Sequence, residues 1–298
     1  TALGDEILVP EPSYVSYCPC IELAGGKPVS IPCFAKDNFS LTANALKEKI
    51  TPKTKAVMIV HSAGFACDMD AICEICKKHN LYLIEDCAHT PGADYKGRAL
   101  GTFGDIAAFS FFTNKNLSVG EGGMMVTKSP ELLDKLKGLR SHGMTVPSFD
   151  RFKGRAVSYD VAIPGLNYRI DEMRAVIGLV QLKKLDEANE NRKKLVDRYY
   201  HRLNGIDKIH IPFINFSRGK PNFHIMPILL AESVNRLEVV ESMKQDGIQT
   251  SIHYPAIQSF SAYTGVVNET PKATFVSDHE LTLPLYPTMT LEEVDLVC

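Results

Sequence analysis

Apolar and polar positions along the first two-thirds of the chain switch between two periods. Continuous apolar runs predict buried strands over residues 6–10, 55–60, 81–84, 106–112 and 124–127. Between them, apolar residues recur every three or four positions over 41–50 and 68–79, which predicts helices with Thr42 and Asp68 as N-caps. Ser129-Pro130-Glu131 sets a cap, a first-turn proline and an acid at the positive end of another helix. Strands alternating with helices predict an α/β fold, a mainly parallel sheet with flanking helices. A long helix is expected from 171 to about 203, with Met173, Val176, Ile177, Val180 and Leu185 along one face, as a bridge between domains. Beyond it the spacing changes: a strand over 223–230, a helix over 233–246 stopped by Gly247, a strand over 248–254, and a last helix opened by a Thr290-x-x-Glu293 capping box. That third of the chain reads as a smaller α+β domain. The expected division is a large domain over 1–190 and a small C-terminal domain over 191–298.

Length supports the division, since 298 residues exceed one ordinary core. With 45% apolar and 23% charged residues the composition is that of a soluble globular protein. A formal net charge of -2 argues against nucleic acid or an anionic membrane as partner, and no apolar run is long enough to span a bilayer. Residues 1–5 lack the basic and apolar regions of a signal peptide, and the chain reads as cut at its front. Eight cysteines raise a zinc site on Cys73-x-x-Cys76 with Cys67 or Cys87. No second close Cys/His pair stands at zinc-finger spacing, and Cys73 and Cys76 fall on a helix face that wants a core. They read as small buried hydrophobes in a reduced compartment, which makes the cytoplasm the expected location and no metal the expectation.

Ligands of parallel α/β sheets bind beyond the carboxyl ends of the strands. That rule picks out His61, the pair Glu85 and Asp86, and the segment 110–115. A carboxylate after a buried strand is either a helix cap or the partner of a bound cation. Lys115 follows the aromatic-rich run Phe109-Ser110-Phe111-Phe112. It is either a lysine leaving the core for solvent or an amine made nucleophilic by desolvation. Ser110 and Thr113 can offer hydroxyls to a phosphate. Gly120-Glu121-Gly122-Gly123 matches neither nucleotide-loop pattern and reads as a tight turn.

Several ordered words carry a resemblance: His61-Ser-Ala-Gly-Phe-Ala-Cys-Asp-Met-Asp70, Ile84-Glu-Asp-Cys-Ala-His89, Gly101-Thr-Phe-Gly-Asp105, the segment 109–116, Gly120-Glu-Gly-Gly123, Arg140-Ser-His-Gly143, Gly165-Leu-Asn-Tyr-Arg169 and His253-Tyr-Pro255. From His61 to about Tyr254 the chain resembles the DegT/DnrJ/EryC1/StrS family of nucleotide-sugar aminotransferases, of aspartate-aminotransferase fold type I. The resemblance implies pyridoxal 5'-phosphate (PLP) as cofactor. It implies that Lys115 carries PLP as a Schiff base and moves the substrate proton, and that Asp86 partners the pyridine nitrogen. By the same resemblance His89 lies beside the phenolic oxygen, Ser110 binds the phosphate, and Tyr14 stacks on the ring. Asn167 is similar to an asparagine that reaches the phosphate of the neighbouring subunit, so a homodimer with shared sites is implied. His253 and Tyr254 resemble small-domain residues facing the substrate. The implied reaction moves an amino group from glutamate to a keto sugar on a nucleotide.

Residues 9–17 with 25–29 read more like the class I/II aminotransferases, Ala66 stands where the family often has proline, and Gln258 where it often has histidine. The family's phosphate cup lies upstream of Thr1. An amino-acid aminotransferase is therefore one alternative, although it wants a C-terminal arginine clamp and Arg236 is the last arginine. A dehydratase relative would carry histidine in place of Lys115. A non-catalytic regulatory member is the alternative from outside enzymology.

Overall fold

The computed structural model describes residues 3–11, 13–34, 37, 41–145, 154, 158–261 and 271–298. A six-stranded sheet is built from β1 (Glu6–Glu11), β2 (Lys27–Pro32), β3 (Thr54–Val60), β4 (Tyr82–Asp86), β7 (Ile106–Ser110) and β8 (Gly123–Val126). Its order is β2-β1-β3-β4-β7-β8, and every neighbouring pair is parallel except β7 with β8. The short strands β5 (Asp94–Tyr95) and β6 (Arg98–Ala99) form a separate hairpin. Helices α1 (Tyr17–Leu23), α2 (Ala43–Lys49), α3 (Met69–His79) and α4 (Pro130–Arg140) complete the α/β alternation. One core joins the two layers: Leu8, Ile31, Val57, Ile59 and Leu83 from strands meet Leu46, Met69 and Ile72 from helices.

The expected caps form. Thr42, Asp68 and Ser129 accept the backbone N–H of Ala45, Ala71 and Leu132. Asp171 caps the long helix α5 (Glu172–Leu203). Its second half is buried through Leu195, Val196, Tyr199 and Leu203, against a three-stranded sheet of β9 (Ile209–His210), β10 (Met226–Leu230) and β11 (Glu280–Leu283). Ala63 and Phe65 from the first part of the chain enter that second core. Helices α6 (Arg236–Gln245), α7 (Pro271–His279) and α8 (Leu291–Val297) complete the chain. Among the described residues no helix is long and apolar enough to cross a membrane.

Three elements differ from their expected form. The strand expected over 248–254 reduces to one bridge, Ser251 with Thr282. Beyond it the N–H of His253 goes to the Glu280 carboxylate rather than to a backbone carbonyl. The strand expected from Phe223 begins only at Met226, because Asn222 and His224 donate their N–H groups to Gly64 and Ala63 instead. Of the predicted α5 face only Leu185 is buried; Met173, Val176, Ile177 and Val180 are exposed.

Thr290 and Glu293 form both hydrogen bonds of the capping box at α8. Thr290→Ala is expected to cost about 1 kcal/mol. Denaturant midpoints of the two proteins, read by circular dichroism, check this value.

Candidate active site

Parallel register sets the site. Val60 pairs with Asp86 and Asp86 with Ala108, so β3, β4 and β7 finish at one edge of the sheet. Successive strand residues face opposite ways, which separates Glu85 from its neighbour Asp86. Glu85 turns inward and is fully buried. Its Oε1 accepts the N–H of Phe103 (2.8 Å) and Gly104 (2.6 Å), and its Oε2 accepts that of Gly101 (2.9 Å). His61 completes the set: its Nδ1 accepts the Cys67 N–H at 3.2 Å, so its Nε2 carries the proton donated to Glu85 at 3.1 Å. The Gly101-Thr-Phe-Gly-Asp105 word is thereby explained as a cradle for a buried carboxylate. Gly101 sits at φ +85°, where a side chain is strained, and Asp105 accepts the N–H of Leu83.

Asp86 faces the edge. Its Oδ1 accepts the Ala88 N–H at 2.8 Å and its Oδ2 accepts the hydroxyl of Tyr17, a buried residue at the start of α1. Burial, then the charge of Asp86, pushes the Tyr17 phenol far up, so it stays a donor. Lys115 lies on the loop after β7, with its N–H on the Phe112 carbonyl. Burial lowers its pKa while the nearby Asp86 charge acts in the opposite direction. His89 accepts the Ala63 N–H on Nδ1, which leaves Nε2–H directed at the Tyr254 hydroxyl, 3.5 Å away. Burial and then the Lys115 charge push His89 down to about 3. His224 lies against His89 with ring centroids 4.3 Å apart and planes tilted by 32°, and its pKa is also depressed by burial and by His89 and Lys115. Burial and Lys115 depress His253 too.

The sheet edge thus gathers Asp86, His89, Lys115, His253 and Tyr254. Tyr14 joins at the margin, half exposed and edge-to-face with Tyr17 at 5.9 Å. Ser110 ends β7, where its hydroxyl accepts the Phe112 N–H. Asn167 stands apart: it is exposed, pairs with Ser141 through its backbone and accepts from Arg169.

Sequence reasoning missed Tyr17, Asn116 and His224. Asn116 donates to Asn189 and Asn222 and takes the Nδ1–H of His224, pinning the loop directly behind Lys115. Arg236, the only cation weighed as an amino-acid clamp, donates to the carbonyls of Ser277 and Glu280.

No metal centre emerges from the cysteines singled out in the sequence. Among the described residues Cys73 and Cys76 join no group of three metal-ligand side chains, and burial raises the Cys76 thiol to about 12 and also raises Cys73 and Cys87. Among the described residues one trio of metal-ligand types lies close together, His61, Glu85 and Cys87. The Glu85 oxygens are already taken by four N–H donors, so this is a hydrogen-bonded core rather than a cation cage.

A carboxylate braced to face a cation, a desolvated lysine and a neutral imidazole donor fit the pyridinium, aldehyde and phenolic oxygen of PLP. With the α/β layering, this donor set suits a PLP site, and the family match gives the class as a PLP-dependent transaminase. The chain belongs to the DegT/DnrJ/EryC1/StrS aminotransferase family, whose pattern matches residues 2–298. It is 32% identical over 298 residues to the GDP-perosamine synthase of Escherichia coli O157:H7, covering 99% of this chain and 78% of that protein. Among solved structures it is similar to Helicobacter pylori PseC, an aminotransferase involved in the biosynthesis of pseudoaminic acid, with TM-score 0.89 and 27% identity over 100% of this chain and 78% of that one. DesV of S. venezuelae matches with TM-score 0.88 and 31% identity, at the same coverage of each chain.

Proposed function

We propose that this transaminase moves an amino group from glutamate to a keto sugar carried on a nucleotide, with Lys115 as the residue that bears the cofactor. The carrying observation is the desolvated Lys115 amine set near a carboxylate, Asp86, that Tyr17 and the Ala88 N–H hold in place. PLP supplies an electron sink that stabilises the carbanion left when the substrate carbon loses its proton. The protein residues supply the rest. Asp86 provides the negative charge that keeps the ring nitrogen protonated. His89 offers Nε2–H to the phenolic oxygen, and Ser110 offers its hydroxyl to the phosphate. Tyr14 covers the ring face. Lys115 first acts as nucleophile and then, freed, carries the proton between carbons. Burial and the lysine's own charge hold His89, His224 and His253 towards their neutral forms, leaving Lys115 as the proton carrier. His253 and Tyr254 face the sugar.

Relatives that act in sugar biosynthesis support a sugar acceptor, as does the engagement of Arg236 with backbone carbonyls. The exposed apolar residues Met173, Val176, Ile177, Leu179, Val180 and Leu182 on the first half of α5 support a homodimer. In it Asn167 reaches the phosphate of the second copy.

The test is spectroscopic. The protein with PLP is expected to show a visible absorption band that borohydride removes, leaving a covalent adduct that mass mapping places on Lys115. L-glutamate should then bleach the band, and a panel of UDP-, GDP- and dTDP-linked keto hexoses should restore it. The same sample should sediment as a dimer. An adduct on another lysine sinks the assignment. Recovery with 2-oxo acids but with no keto sugar returns the protein to the amino-acid class.

A further inference from the structure

The second sheet carries an acid that transamination as described does not use. Glu280 opens β11, is 3% exposed, and lies inside a strand whose four residues are all buried. A buried carboxyl needs partners for both oxygens, and here both lead to one residue. Oε2 accepts the backbone N–H of His253 at 2.8 Å. Oε1 accepts the hydroxyl of Thr282, and the Thr282 oxygen lies 2.8 Å from His253 Nδ1. A threonine hydroxyl has one proton to give. Given to Glu280, it leaves the oxygen as acceptor, so the proton of the neutral His253 ring sits on Nδ1. His253 Nε2 then holds a bare lone pair with no partner among the described residues. His253 lines a cavity of about 620 Å³ together with Asn114, which precedes Lys115 in sequence, Arg192 and His224, and it lies close enough to Lys115 to feel its charge.

We propose that Glu280 and Thr282 are positioning residues that fix His253 with its proton on Nδ1, so that Nε2 accepts a hydrogen bond from a hydroxyl of the sugar acceptor. The sugar part of this inference rests on the function proposed above; the relay itself does not. Glu280 acts twice, aiming the backbone of His253 through Oε2 and selecting its tautomer through Oε1 and Thr282. The relay also reverses with one proton. Burial pushes Glu280 up to about 7, against the opposing effects of the Thr282 and His253 hydrogen bonds and the Arg236 charge. Once protonated, Glu280 donates to Thr282, and the hydroxyl turns to donate to His253 Nδ1. The ring proton moves through solvent to Nε2, with one net proton taken up. The other titratable groups facing this pair are Lys115, His89, His224 and Tyr254. Of these, burial depresses the lysine and both imidazoles and raises the phenol.

Nitrogen NMR of the histidine-labelled, PLP-loaded protein tests the relay without a substrate, with the His253 signal assigned by its loss in His253→Asn. Well above neutrality the Nδ1–H form should dominate, and it should give way to Nε2–H as pH falls through about 7. Thr282→Val should erase the preference and Thr282→Ser restore it. With the best acceptor of the keto-hexose panel, Thr282→Val should raise KM about tenfold while the glutamate half-reaction keeps its rate. Nε2–H in the wild type well above neutrality, or Thr282→Val with the wild-type tautomer, overturns the relay. An intact relay with no change in KM overturns its role towards the sugar. If no keto hexose is accepted, the sugar reading fails with the proposed function, and the tautomer still decides the relay.

Discussion

Lys115→Ala is expected to lower turnover by at least about a thousandfold, the scale of losing both an activated nucleophile and a positioned proton carrier. That is about 4 kcal/mol of barrier. The size follows from the neighbourhood. His89, His224 and His253 stand near Lys115, and burial lowers the pKa of each. None is tuned to replace the amine near neutral pH. Lys115→Arg should fail almost as badly, because guanidinium keeps the charge but neither forms the covalent link nor gives up a proton. A small primary amine added to Lys115→Ala should restore part of the rate, since the lost side chain leaves room beside Asp86. Stopped-flow absorbance of the L-glutamate half-reaction measures all three. A normal rate in Lys115→Ala removes the lysine from the chemistry.

Which parts of this arrangement could be read from the chain depends on where each residue finds its partner. The strands β3, β4 and β7 and the helices α2 and α3 were legible because those strands lie in continuous apolar runs and because Thr42 and Asp68 cap locally. β2 was hidden by Pro28 and Pro32, which a strand tolerates at a sheet edge, and β2 is that edge. α1 was hidden by Pro19 in its first turn and by its shortness. β11 was hidden because it buries Glu280 and Thr282 among its apolar residues. At the site, the strand-end rule was enough to single out Asp86 and the segment holding Lys115. Tyr17 carries no such mark: it binds Asp86 across 69 residues and reads as any core tyrosine. Asn116 and His224 meet across 108 residues, a contact that no local spacing encodes. The strand expected over 248–254 failed for the same reason, since a distant carboxylate takes the His253 N–H that a ladder would have used.

Glu85 shows how far one-residue resolution matters, because the strand-end rule picks out both it and Asp86, and only the resemblance separates them. Pleating gives the two carboxylates opposite faces, and the second large effect follows from that. Glu85→Ala is expected to destabilise the fold by about 4 kcal/mol or more. It strands the N–H groups of Gly101, Phe103 and Gly104 and the Nε2–H of His61 in a dry interior, at about 1–3 kcal/mol for each one that finds no water. A domain holds only about 5–15 kcal/mol in total, so much of the mutant protein should be unfolded or insoluble. Glu85→Gln should fall between: its carbonyl can still accept from Phe103 and Gly104, but its NH₂ meets the Gly101 and His61 donors with another donor. Acid dependence separates the charge from the packing. Burial alone would raise Glu85, yet the His61 and glycine N–H bonds outweigh it and hold its folded pKa below the ordinary 4.5. Its contribution is therefore fully present above about pH 4.5 and is lost as pH falls through the depressed folded value. Urea unfolding of wild type and Glu85→Gln across that window should show the two stabilities converging as pH drops. A constant gap across the window would mean that Glu85 acts through shape and not through its charge.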